Sequence, residues 1–315
     1  MKSFTFYRLL LLALFVILIA GPGCGRAKSV YTSVQDRVFN PLYKKAKPVN
    51  DGLKKRVLLL PIIDHAELGD VKAEELTTLL QKKFEENGQF SVHRTRDPIS
   101  SSVNLGSSRI GTAIDPALAK MAEEKGMNVL VTAVLNPFET HINRWGFWPV
   151  QRIKHELEIS MVVNVLDITN GTLLLSRLAS RKTKLPKDKD VDADGKSERK
   201  IDKGDLDKIL VRLFQDQASS VIEALKTLPW SGRVLSASPD SIIINAGKDI
   251  GLNAGSVFNV FEKGEAIRSA NGRTLFLLGE KIGEIKTIKV MDHYASAVPV
   301  SGSLFRAGLV IRLKN

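Results

Sequence analysis

One cysteine in 315 residues excludes a disulfide framework and any thiolate metal cluster, so stability has to come from hydrophobic cores alone. Histidine is also scarce. His65, His93, His141, His155 and His293 include no pair at the helical spacing of a metalloprotease, and His155 and Glu156 fall on opposite faces of an expected strand. The chain has no glycine-flanked serine elbow, no glycine-lysine phosphate loop and no dinucleotide fingerprint. These absences point away from an enzyme, from a cofactor and from a small-molecule substrate. A second long apolar run is missing too, so everything after the first two dozen residues reads as water-soluble.

What the chain does have begins at its start. Lys2 and Arg8 precede a nearly unbroken apolar run from Leu9 to Ala20, followed by Gly21-Pro22-Gly23 and then the single cysteine, Cys24. A basic start, an apolar stretch and small residues at a cleavage point make a secretory signal. Ending on cysteine, residues 1–23 resemble a bacterial lipoprotein signal, with Cys24 as the acylated residue. Ordinary signal cleavage that leaves a free thiol, and an uncleaved anchor, are the alternatives, although the run is short for a spanning helix. Several acyl chains hold a protein on a bilayer where one does so only marginally. Gly25 stands where an inner-membrane lipoprotein would often carry Asp, so the resemblance implies the outer membrane, on its periplasmic side. The formal charge of +12 falls to +10 once Lys2 and Arg8 leave with the signal. In an exported protein that charge suits lipid headgroups, cell-wall polymers or acidic protein partners, and argues against nucleic acid.

Residues 24–54 are polar and lysine-rich and read as a flexible tether. Arg56 to Ile63 then forms a continuous apolar run typical of a strand buried on both faces. Ala73, Leu76, Leu79, Leu80 and Phe84 recur at helical spacing up to Asn87-Gly88, and Phe90 to Val92 predicts another strand. Asp115-Pro116 is an N-cap followed by a first-turn proline, Leu118, Met121 and Ala122 make the helical stripe, and Gly126 ends it. Val129 to Leu135 reads as a buried strand. Leu157, Ile159, Met161, Val163 and Val165 alternate, and Asn170-Gly171 turns the chain into Thr172 to Leu178, an antiparallel hairpin. A charged insertion over 182–203 precedes the strongest helix, with Leu206, Ile209, Leu210, Leu213, Phe214, Ala218, Val221, Ile222 and Leu225 in its stripe and Pro229 beyond it. The expected domain over 55–229 is an α/β sandwich.

From Gly232 the pattern changes to short β runs: 234–235, 242–244, 257–261, 285–290, 295–300 and 309–313, separated by glycines. Strands of that length and spacing predict a small closed barrel over 230–315, since closure removes unpaired edges. The fold class is therefore α+β, an α/β sandwich followed by a small all-β barrel.

Gly232-Arg-Val, Ile242 to Gly247, Asp249-Ile-Gly251-Leu-Asn-Ala-Gly255, Val257 to Phe261, Gly279, Lys281 to Ile285, Ser296 and Ala307-Gly308 resemble the C-terminal domain of flagellar assembly protein T and related envelope lipoproteins. Leu309 departs from the acidic residue those proteins tend to carry. Val57 to Pro61, Gly126 to Val131 and Val165 to Gly171 resemble the nucleotide-free α/β domain of that protein, of lipoprotein activators of penicillin-binding proteins and of curli-secretion lipoproteins. The resemblance implies a non-catalytic scaffold whose partners are the membrane, through lipidated Cys24, and envelope or flagellar proteins. A regulator of a penicillin-binding protein and a curli-type secretion subunit are the alternatives.

Two local features invite a role. Asp190-Val-Asp192-Ala-Asp194-Gly195 copies the first half of a calcium loop, but the twelfth position is Ile201 and lysines surround it, so no metal site is expected there. Asn143 to Pro149 reads as an aromatic loop between strands. Its Trp145, Phe147 and Trp148 either pack as a lid on the domain's own helices or form an exposed, partner-binding anchor for protein or membrane, and Arg144 and Arg152 beside them favour an acidic partner or lipid headgroups.

Overall fold

The computed structural model describes residues 52–95, 116–146, 150, 152–185, 201–268 and 274–314. Residues 48–315 form one compact unit. Its first half is a sheet of β1 (Lys55–Leu59), β2 (Ile63–Asp64), β3 (Phe90–Arg94), β4 (Val129–Leu135), β5 (Glu139–Trp145), β6 (Arg152–Asp167) and β7 (Leu173–Lys184). The helices are α1 (Asp70–Glu86), α2 (Pro116–Glu124) and α3 (Lys203–Lys226). β1 pairs in parallel with β3 on one side and β4 on the other. β6 is antiparallel to β4, and β7 lines the far side of β6.

The continuous apolar run of β1 is explained by both sheet faces being covered. Val57 and Leu59 point into the larger core with α1 and α3, whereas Leu58 and Leu60 join a smaller core under α2. Alternation along one strand thus feeds two cores. Met161, Val163 and Val165 of β6 lie in the larger core, so this alternating segment faces the protein's own helices. α3 buries Leu210, Leu213, Phe214, Val221 and Leu225 against it; each such side chain contributes about 1.5–3 kcal/mol by leaving water.

Asp202 caps α3, its carboxylate accepting from the N–H groups of Gly204 (2.9 Å) and Asp205 (3.3 Å). Asp202→Ala is expected to lower stability by about 1 kcal/mol, read as a lower urea midpoint with unchanged slope.

The second half is a closed antiparallel barrel in the order β10-β11-β12-β9-β8-β13. Its strands are β8 (Gly232–Ala237), β9 (Ile242–Ile244), β10 (Val257–Arg268), β11 (Thr274–Val290), β12 (Ala295–Gly302) and β13 (Val310–Leu313). Ile242, Ile244, Phe258, Val260, Ile285, Ala297 and Ile311 fill the interior, and Trp230 closes it. Bulges along β10–β11 and β11–β12 supply the bending that closure needs. Gly247 and Gly251 frame the short 3-10 turn Lys248–Ile250. A Cβ on Gly247 would overlap the carbonyl of Asp292, and Gly251 has φ 84°, a conformation in which only glycine is free of strain.

Three segments differ from the sequence expectations. Leu53 and Lys54, at the end of the stretch read as tether, are docked: Leu53 packs on the barrel core and Lys54 N–H donates to the Ile250 carbonyl at 2.9 Å. β7 runs on to Lys184, into the stretch read as insertion, because it pairs with β6 along its length. The loop expected over Asn143 to Pro149 is strand as far as Trp145.

Candidate interaction surface

β4 and β5 lie end to end along the same side of β6. Asn136-Pro137-Phe138 separates them, and proline, lacking an N–H, interrupts the ladder there. β6 is long enough to pair with both, so β5 and the first half of β6 form a ribbon that continues the sheet. Near the body the ribbon is held by polar pairs. Asn136 N–H donates to the Ser160 carbonyl and its Nδ2 to Ser160 Oγ at 3.0 Å. His141 Nε2 lies 2.9 Å and Lys182 Nζ 3.2 Å from Glu158 Oε2. Burial would raise the Glu158 pKa, but hydrogen bonds from Ser180 and Lys182 and the charges of Lys182 and His141 hold it below the ordinary value. Asn143 Nδ2 donates to Glu156 Oε2 at 2.7 Å.

Beyond Glu156 the ribbon changes character. The outermost rungs pair Trp145 with Arg152, Arg144 with Ile153, Asn143 with Lys154 and Ile142 with His155. Trp145 is 68% exposed, Ile142 58% and Val150 60%. Trp145 therefore stands in solvent and is not packed as a lid, and Arg144 beside it is exposed. Arg152 opens β6 opposite Trp145. Phe147 and Trp148, the calcium-like Asp190, Asp192 and Asp194, and Cys24 lie outside the described residues.

A buried polar seam joins sheet to barrel, and its partners were not visible in the sequence. Arg56, at the start of β1, donates from Nε and Nη2 to the two oxygens of Asp249, both at 2.8 Å, and also to the carbonyls of Asn245 and His293. Its own N–H meets Asn128 Oδ1 at 2.8 Å, while Asn128 Nδ2 donates to the Ser231 carbonyl. Arg233 pairs with Glu123, Lys263 sits 3.7 Å over the Phe276 ring, and Phe276 N–H reaches the Asn170 carbonyl at 2.8 Å.

Burial pulls the Asp249 carboxyl upward in pKa, but Arg56 and then His293 outweigh it and hold the group below the ordinary range. Burial, then the Arg56 charge, depress His93; burial raises Asp167 and lowers Arg233. The one advance signal was a charged residue, Arg56, opening an otherwise apolar strand. The seam's side chains pair with one another and with backbone carbonyls across the junction. It fixes the barrel to the sheet and thereby the direction in which the ribbon projects.

A cavity of about 850 Å³ lies beside edge strand β3 and helix α1, lined by Asp70, Glu74, Thr77, His93, Arg94 and neighbours. Arg94 and Glu74 pair across it at 2.5 Å.

No protein-family model matches the chain, and no curated protein sequence matches it. Solved structures do. The hypothetical protein CT253 from Chlamydia trachomatis is 15% identical, with 55% of this chain and 98% of that one covered at a TM-score of 0.35. PelC from Paraburkholderia phytofirmans is 10% identical, covering 58% and 94% at 0.33. Lipoprotein GNA1162 from Neisseria meningitidis is 12% identical, covering 55% and 99% at 0.29.

Proposed function

We propose that the protein is a non-catalytic lipoprotein of the bacterial outer membrane, facing the periplasm, that scaffolds assembly of an envelope structure such as the flagellar basal body. The reading is carried by the apolar run from Leu9 to Ala20 that ends at the only cysteine, Cys24, ahead of a compact unit over residues 48–315. Acyl chains at Cys24 hold the body at the membrane. The body, whose two halves are locked by the Arg56–Asp249 seam, presents surfaces rather than a reaction centre.

Labelled palmitate tests the anchor. Wild type is expected to take up label and to fractionate with membranes, whereas Cys24→Ala takes up none and becomes soluble; an unlabelled wild type sinks the reading. Deletion in a flagellated host is expected to abolish motility, and normal motility with altered cell-wall crosslinking moves the role to a penicillin-binding protein.

A further inference from the structure

The outer end of the β5–β6 ribbon combines two properties that rarely coincide on a solvated sheet. Its last four rungs, residues 142–145 with 152–155, contain Arg144, Arg152 and Lys154 and no acidic residue. The carboxylates of the ribbon, Glu139, Glu156 and Glu158, all stand nearer the body, where Glu158 pairs with His141 and Lys182 and Glu156 accepts from Asn143. Alternation puts Trp145 and Lys154 on one face of the ribbon and Ile142 and Arg144 on the other, so each face carries an exposed apolar group and an exposed basic one, with Val150 just beyond.

Charge of one sign beside exposed apolar groups suits a particular surface. Tryptophan favours the headgroup level of a bilayer, where its ring is buried and its indole N–H stays wet. Lysine and arginine near an anionic surface add attraction that fades within a Debye length. An apolar partner pocket would select the tryptophan but not the surrounding positive charge. Anionic lipid selects both.

Position allows it. Val57 of β1 is in register with Val129 of β4, and from there the chain climbs to Trp145 at about 3.3 Å per residue, so the tip stands about 50 Å from the seam. Residues 25–51 separate Cys24 from the first described residue, a length that spans up to about 90 Å when extended. A membrane that holds Cys24 is therefore within reach of the tip.

We propose that the end of the β5–β6 ribbon, through Trp145, Ile142, Arg144 and Lys154, is a second and non-covalent membrane contact that settles on anionic headgroups. It deepens the proposed function by naming the ribbon's partner, and two attachments on one bilayer reinforce each other through effective concentration.

The test uses the mature chain with Cys24→Ser, so no acyl chain contributes, and its failure is distinct from failure of the palmitate experiment. Binding is measured by co-sedimentation with vesicles of phosphatidylcholine alone, or with about one third phosphatidylglycerol. Retention by the anionic vesicles only is expected, with a blue shift of tryptophan emission and loss of binding at high salt. Arg144→Glu/Lys154→Glu should weaken it at least about tenfold, and Trp145→Ala severalfold, at unchanged melting temperature. Lys286→Glu/Lys289→Glu, on the exposed side of β11, should bind as wild type. No retention at all, which leaves an acidic protein as the occupant, overturns the proposal; so does equal binding to neutral vesicles, or wild-type binding by the ribbon double variant.

Discussion

Asp249→Ala is expected to destabilise the folded unit by about 3–5 kcal/mol, because it strands Arg56 in a seam where only 6% of that side chain reaches solvent. Arg56 would keep its bonds to the Asn245 and His293 carbonyls but lose both carboxylate partners. Urea unfolding of the purified chain from residue 24 onward measures the loss, and proteolysis near residues 229–232 should accelerate as the barrel loosens from the sheet. Replacing both partners, Arg56→Met/Asp249→Leu, should recover much of the stability, since two uncharged groups carry no desolvation penalty. A double variant as unstable as the single one would show that packing, not the unpaired charge, sets the cost.

Acid acts on the same cluster in two stages. His93 has a lowered folded pKa, so the unfolded chain binds its proton first, and stability begins to fall as pH drops below about 6.5. Asp249 has a depressed folded pKa. Its contribution is complete above the unfolded value of about 3.9 and is lost as pH falls through the folded value. The gap between wild type and Asp249→Ala should therefore narrow only below about pH 4.

Trp230→Ala should cost about 3–5 kcal/mol as well. Trp230 is 2% exposed and its ring meets that of Phe258 at 5.7 Å and 51°. It packs so closely on Gly232 that a Cβ there would sit 2.5 Å from the indole. Removing the ring empties the end of the barrel interior at the point where the chain enters from α3, and neighbouring strands pinned by the ladder cannot collapse into the gap. Differential scanning calorimetry should show the transition about 10 °C lower, whereas Trp230→Phe, which keeps most of the volume, should lose less than half as much. A shift of only a degree or two for Trp230→Ala would mean the end of the barrel repacks freely.

Elements with a strong local period were legible in the sequence. The stripe from Leu206 to Leu225 is α3, the helix after Asp115 begins at Pro116, and the six glycine-separated β runs from 234 to 313 are the six strands of the closed barrel. The ribbon was only half legible. Leu157 onward alternates because its neighbours are buried, but in 139–145 and 152–156 the few apolar residues, Ile142, Trp145 and Ile153, do not alternate along one face, and without an apolar period nothing distinguishes a solvated strand from a loop. Trp145 reads from the sequence as a candidate contact, while its exposure depends on where β5 ends.

Sequence alone determined the α+β class and the change from helices to barrel at about residue 230, because each rests on patterns repeated within a few residues of one another. Tertiary structure decided the seam, the fusion of two halves into one unit and the outward aim of the basic, aromatic ribbon end. Arg56 and Asp249 are 193 residues apart, and no local period encodes a pairing that arises only when a residue near a strand's start and a barrel turn are brought together in a place with little water.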